Sequence, residues 1–212
     1  MKKRMLALAL VIVMILSMAG CSSGDTKKLV GTWRCEIDMT DYLMEMMLAD
    51  SQEMAEFISL DDVVIVYYAD FKDNATACLY ADEYQVADTF EQLEDDLVDA
   101  LGLYMEELFY EQTGLSMTLE EILELSGTSE QDLRDSLGFD AIVQEMCDGL
   151  YMEGKYKAEE GKLHISAGLD YNIDPAMYEI YTLNGNVLTI TGCVGSEIPE
   201  FNPYPMVFEK IG

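Results

Sequence analysis

Positive charge is what this chain has least of. Its 212 residues hold 12 Lys and Arg against 41 Asp and Glu. Three of those basic residues, Lys2, Lys3 and Arg4, sit at the extreme N-terminus, so the rest of the chain carries 9 against 41. A surplus of that size argues against nucleic acid and other polyanions as partners. It also argues against direct adhesion to an anionic membrane surface. Histidine is nearly absent: His164 is the only one. A Ser-His-Asp or Cys-His device would need it, no G-x-S-x-G elbow accompanies it, and histidine-built metal sites need more than one. Between Leu163 and Ile165 it alternates with core residues and is expected on the solvent face. Glycine-rich phosphate loops and C-x-x-C pairs are missing, and so are calcium loops of the D-x-[DN]-x-[DN]-G type. No metal and no cofactor is expected, and no catalytic residue is assigned. The dense acids between Glu91 and Glu111 read as one solvated helix face.

Long apolar runs are scarce too, with one exception at the start. Residues 5–16 are unbroken apolar sequence behind the three basic residues, and small residues then lead to Cys21. Twelve residues are too few to span a bilayer as a helix of about 20. A charged start, a short apolar stretch and a small-residue site make an export signal over residues 1–20. Four further cysteines remain: Cys35, Cys78, Cys147 and Cys193. An exported chain could pair them in any of three ways, yet Cys35 falls on the apolar face of its strand. Free, buried thiols are the expectation.

Residues 22–28 read as a polar tether. Period-two alternation begins at Leu29, with Gly31, Trp33, Cys35, Ile37 and Met39 on one face. Helical spacing follows over residues 40–60. Its methionine-rich stripe (Met44, Met46, Met47, Met54) suits core packing or an adaptable groove. Residues 63–71 and 75–84 make a hairpin around Lys72-Asp73-Asn74. A helical block then fills residues 86–149. Asp88 and Glu91 are its expected first cap, Thr118 and Glu121 a second, Thr128 or Ser129 a third, and Gly138 a break. Alternation returns at Met152 and persists through a turn at Glu159-Glu160-Gly161. A hairpin at Asn184-Gly185 and a last strand over residues 206–211 complete the pattern. Eight short strands with helices after the first and third predict an α+β domain over residues 29–212. The expected form is an eight-stranded antiparallel barrel or meander with helical insertions at 40–60 and 86–149. An open sheet covered on one face by the helices is the alternative.

The segment Ser17-Met18-Ala19-Gly20-Cys21 resembles the lipobox of bacterial lipoproteins. That resemblance implies acylation of Cys21 and a lipid anchor on the extracytoplasmic face of the cell envelope. Leu29-Val30-Gly31-Thr32-Trp33 resembles the G-x-W first strand of lipocalins and lipocalin-like lipoproteins. The stretches Tyr181 to Ile190 and Phe208-Glu209-Lys210 look like the last strands of the same group. The resemblance implies that Trp33 plugs the closed barrel end beneath Lys210, a structural role. A helical insertion of about 60 residues is foreign to that family.

The expected function is non-catalytic binding of a small apolar ligand or a protein, with the helices as a lid on the barrel mouth. An interaction module on a filled barrel is the alternative, favoured if Trp33, Tyr156, Tyr178 and Phe208 fill the interior. A carboxylate-type hydrolase is the third reading and requires two acids facing each other in a cleft.

Overall fold

The computed structural model describes residues 24–48, 56–60, 62–195 and 201–212. The export signal, Cys21 and Met54 lie outside them. Eight antiparallel strands close a barrel in the order β1-β2-β3-β4-β5-β6-β7-β8. They are Gly31–Asp38 (β1), Val64–Phe71 (β2), Thr76–Ala81 (β3), Met152–Glu159 (β4), Lys162–Ile165 (β5), Tyr178–Asn184 (β6), Val187–Val194 (β7) and Met206–Lys210 (β8). The helices are Gly24–Leu29 (α1), Thr40–Leu48 (α2), Glu83–Thr113 (α3), Leu119–Ser126 (α4), Glu130–Leu137 (α5) and Phe139–Leu150 (α6). The insertions therefore fall where the periodicity put them, after β1 and β3. The closed barrel displaces the open-sheet alternative.

The chain divides into two compact units, and each of β1, β2 and β3 contributes residues to both. One unit holds residues 1–34, 69–79 and 152–212. Its core is a plugged barrel end. Trp33, Leu29, Leu163, Leu188 and Phe208 are completely buried, and Phe71 meets Tyr156 edge to face at 4.8 Å. The Trp33 indole donates to the Leu29 carbonyl at 2.6 Å, and the Lys210 ammonium lies 5.3 Å from the ring centre. Lys210 also donates to the Val30 carbonyl at 2.5 Å. Closure runs through Trp33 opposite Lys210 and Arg34 opposite Glu209. Gly31 sits there at φ +132, where a Cβ would collide with the Gly212 carbonyl and the Lys210 stem. Glycine in the G-T-W triplet is thus a steric requirement of closing β1 on the C-terminus.

The tether expected over residues 22–28 is, from Gly24 on, part of a docked helix that runs through Leu29. The Thr26 hydroxyl donates to the Ala158 carbonyl (3.2 Å) and accepts from the Ala158 amide (3.0 Å). The Tyr156 hydroxyl donates to the carbonyls of Thr26 and Lys72 at 3.1 and 3.2 Å. His164 corrects a second expectation. It is 5% exposed, because the Met177 carbonyl meets its Nδ1 at 3.0 Å and the Tyr178 ring lies 5.5 Å away. The chain after β5 covers a face that alternation alone assigns to solvent. In the β6–β7 hairpin the two-residue turn is Gly185-Asn186, one position later than expected. Only Gly185 has positive φ there (+61), the type II′ pattern.

The other unit holds residues 35–68 and 80–151. Its long helix α3 buries Val86, Phe90, Leu93, Leu97, Val98, Ala100 and Gly102 along one stripe. Ile58, Leu97 and Ala100 gather Met44, Phe57, Leu60, Leu101, Leu137 and Phe139 around them. Met44 therefore packs as core; the side chains of Met46 and Met47 lie outside the description. The α3 helix begins six residues before the expected cap, because Asp82 rather than Asp88 accepts from a backbone amide, that of Gln85 (3.2 Å). Gln85 explains the early start. Its side-chain amide accepts from the Val66 N–H at 2.8 Å and donates to the Val64 carbonyl at 2.7 Å, extending the β2 ladder. Thr118 with Glu121 and Ser129 with Asp132 form reciprocal capping boxes, and Gly127 and Gly138 stop their helices in the left-handed region.

Candidate functional site

A cleft of about 600 Å³ opens in the helical unit. Helix α6 supplies most of its wall. Asp140, Gln144, Cys147, Asp148 and Tyr151 recur at helical spacing on one side of that segment. Phe139, at the start of the helix, packs on Phe90 of α3 instead, with ring centres 6.0 Å apart. Facing α6 are Tyr80 and Ala81 at the end of β3 and Glu83 in the first turn of α3. Tyr80 is backed by Tyr68, the rings stacked at 5.4 Å. The Tyr67 hydroxyl donates to the Leu150 carbonyl at 3.1 Å, holding the end of α6.

The lining carries three carboxylates, Glu83, Asp140 and Asp148, and no basic side chain. All three are solvent-exposed. Burial pushes the Cys147 thiol above its ordinary range, and the Glu83 and Asp148 charges push it further. Their field therefore reaches the cleft wall. The carboxylates ring the opening without converging: among the described residues no three His, Cys, Asp or Glu side chains gather closely enough to hold a metal ion.

Charge separates the units sharply. Of the 41 acidic residues, 29 belong to the helical unit, and of the 12 basic residues only Arg134 does. That leaves 12 acids and 11 bases for the barrel unit, three of those bases (Lys2, Lys3 and Arg4) belonging to the export signal. Arg134 is already engaged, reaching Asp95 at 2.7 Å, Glu130 at 3.0 Å and Glu94 at 3.4 Å. The hydrogen bonds it donates to Asp95 and then Glu130 raise its pKa further, so it stays charged throughout.

The barrel unit holds one polar cluster that the sequence did not announce. Glu179 faces Cys193 across the β6–β7 ladder and accepts from the Tyr204 hydroxyl at 2.7 Å. Burial raises the Glu179 carboxyl, and the Tyr204 bond opposes that shift. Burial and the same carboxylate push the Tyr204 hydroxyl up as well. Among the described residues Cys35, Cys78, Cys147 and Cys193 form no disulfide; Cys35 is buried and the others are half-buried, less enclosed than expected. Of the side chains expected to fill the barrel, Trp33, Tyr156 and Phe208 do so, whereas Tyr178 is half-exposed beside His164 and Lys162. Cys21 lies outside the described residues. The cleft was invisible to sequence reading because β3, α3 and α6 build it jointly from residues up to 71 positions apart. No protein-family model, curated protein or solved structure matches this chain.

Proposed function

We propose that this is an extracytoplasmic lipoprotein, anchored through Cys21, in which a filled lipocalin-like barrel serves as scaffold and the helical unit binds a cationic protein partner. The observation that carries the reading is the division of charge: 29 acids and one base in the helical unit, against 12 acids and eight bases in the barrel unit once the export signal with Lys2, Lys3 and Arg4 is removed. Complementary charge steers association and selects partners. With Arg134 bound to three carboxylates, the helical unit has no basic residue left to neutralise the others internally.

The packing of Trp33, Phe208, Leu188 and Tyr156 supports a scaffold over a container for a small apolar ligand. A non-catalytic role is supported by the exposure of Glu83, Asp140 and Asp148. Carboxylate-type hydrolysis needs one carboxyl held protonated in apolar surroundings beside a second. Glu179, the carboxyl raised by burial, is engaged by Tyr204 instead.

Site-directed photo-crosslinking in the intact envelope tests the reading. Probes replace Leu103 and Leu125 on the helical unit and Tyr171 and Val207 on the barrel unit, all exposed. Adducts to basic proteins from the helical positions are expected. Adducts confined to the barrel positions, or an apolar molecule co-purifying with the barrel, would overturn it. Cys21→Ser should release the protein from the membrane fraction; unchanged retention would sink the anchor.

A further inference from the structure

The geometry points to the cleft between β3, the start of α3 and α6 as a binding site for linear aliphatic polyamines, or for lysine side chains presented in the same spacing. This inference rests on the cationic-partner reading and gives it a place and a chemistry. Asp140 and Asp148 stand on one side of α6 eight residues apart, about 12 Å along the axis at 1.5 Å per residue. Glu83 supplies a third negative charge from the opposite wall. Charges spread in this way do not suit a single ion, since they fail to converge on one point. They suit a chain whose positive charges are themselves separated by methylenes.

The rest of the lining fits the chain between those charges. Tyr80 and Tyr151 offer aromatic faces and Val143 an aliphatic one, surfaces on which methylenes pack and over which an ammonium is attracted by the ring quadrupole. The volume, about 600 Å³, is in the ordinary range for small-molecule sites. No lysine or arginine of the lining competes for the carboxylates. The Cys147 thiol in the same lining is pushed up first by burial and then by Glu83 and Asp148.

The test is isothermal titration of the whole mature chain with spermidine, with Mg²⁺ at matched charge concentration as the control for plain polyanion attraction. Spermidine is expected to bind one site at least tenfold more tightly than Mg²⁺. Glu83→Gln with Asp148→Asn should weaken it roughly tenfold, equivalent to about 1.4 kcal/mol. Glu107→Gln with Glu111→Gln removes the same charge from an exposed stretch of α3 outside the cleft lining and should change the affinity less than twofold. Tyr151→Ala, which alters no charge, should weaken binding several-fold. Equal loss in the two double variants, or parity of both spermidine and a lysine-bearing peptide with Mg²⁺, overturns the site. A lysine-bearing peptide titrated in parallel distinguishes the sources. Cleft-dependent binding of the peptide but not of spermidine assigns the ammonium to a protein partner, and the reverse assigns it to a free polyamine. Crosslinks at Leu103 and Leu125 in a protein that binds neither spermidine nor the peptide better than Mg²⁺ would refute the cleft while leaving the cationic-partner reading intact.

Discussion

The barrel unit and the helical unit are stabilised by different physics. In the barrel unit, strand ladders close on a plug in which Trp33, Phe208 and Leu188 have no exposed surface. Without the export signal it carries 12 acids and eight bases, a far smaller surplus than that of the helical unit. In the helical unit, α5 and α6 bury no residue completely, and α4 buries only Leu123. Caps, a narrow α3 stripe and one arginine hold those helices against the mutual repulsion of 29 acids. A protein that needed only stability would spread its charge. Concentrating it on the unit whose α4, α5 and α6 bury little makes those helices sensitive to whatever neutralises it, which is a useful property in a binding surface and a costly one in a scaffold.

The comparison breaks first if the barrel proves tolerant. Trp33→Ala removes a buried indole and its bond to the Leu29 carbonyl, and should cost about 3–5 kcal/mol in denaturant unfolding. A loss below about 1 kcal/mol would mean that the barrel end is not the stable part. Next in size is Gln85→Ala, which strips the Val66 amide of its acceptor and leaves the Val64 carbonyl only the Thr89 hydroxyl at 3.3 Å. Orphaning one backbone amide and weakening a second bond should cost about 1–2 kcal/mol. Hydrogen exchange should rise at β2 and the start of α3 while β6 and β7 stay protected.

How far these features were legible beforehand follows from the range of the interactions that make them. Strand alternation and helix caps act within a few residues, so the eight strands, the Thr118–Glu121 capping box and the Gly127 and Gly138 stops could be read directly. Asp88 fits the local cap pattern, yet α3 is capped at Asp82. Gln85 decides between them by reaching β2, a contact 19 residues away that no local pattern encodes. Thr26 becomes helical because it bonds Ala158, 132 residues further on. His164 is buried by Met177, which alternation cannot anticipate. The cleft needs Tyr80, Glu83 and one face of α6 together, and only tertiary packing supplies that. The charge division lay open in the sequence, yet it takes meaning only once the two units are known.

A smaller effect sharpens the electrostatic half of the contrast. Arg134→Gln unlinks α5 from Asp95 and Glu94 on α3. Partly exposed ion pairs stabilise weakly, so roughly 1 kcal/mol is expected at low salt, falling toward zero near 0.5 M NaCl as screening sets in. Exchange should quicken in α5 alone. A change that ignored salt would show that Arg134 acts through packing of its stem and not through charge.

The smallest predicted effect sets the units against each other in pH. In the helical unit, Asp38 accepts from the Thr40 amide at 2.9 Å and Asp132 from Ser129, and these bonds hold both carboxyls below their ordinary value. A lowered carboxyl stabilises the fold above its unfolded value, about 3.9, and that contribution disappears as the pH falls through the folded value. Glu179 in the barrel unit has the opposite sign. Burial raises its carboxyl, so it favours the fold when protonated, and that preference is lost as the pH climbs through the raised value. Glu179→Gln should therefore raise the melting temperature at pH 7 and leave it unchanged near pH 4. Tyr204→Phe, which deletes the hydrogen bond opposing the shift, should lower stability more at pH 7 than at pH 4. If both variants track wild type across that range, Glu179 stays solvated at neutral pH and the barrel unit contains no strained carboxylate.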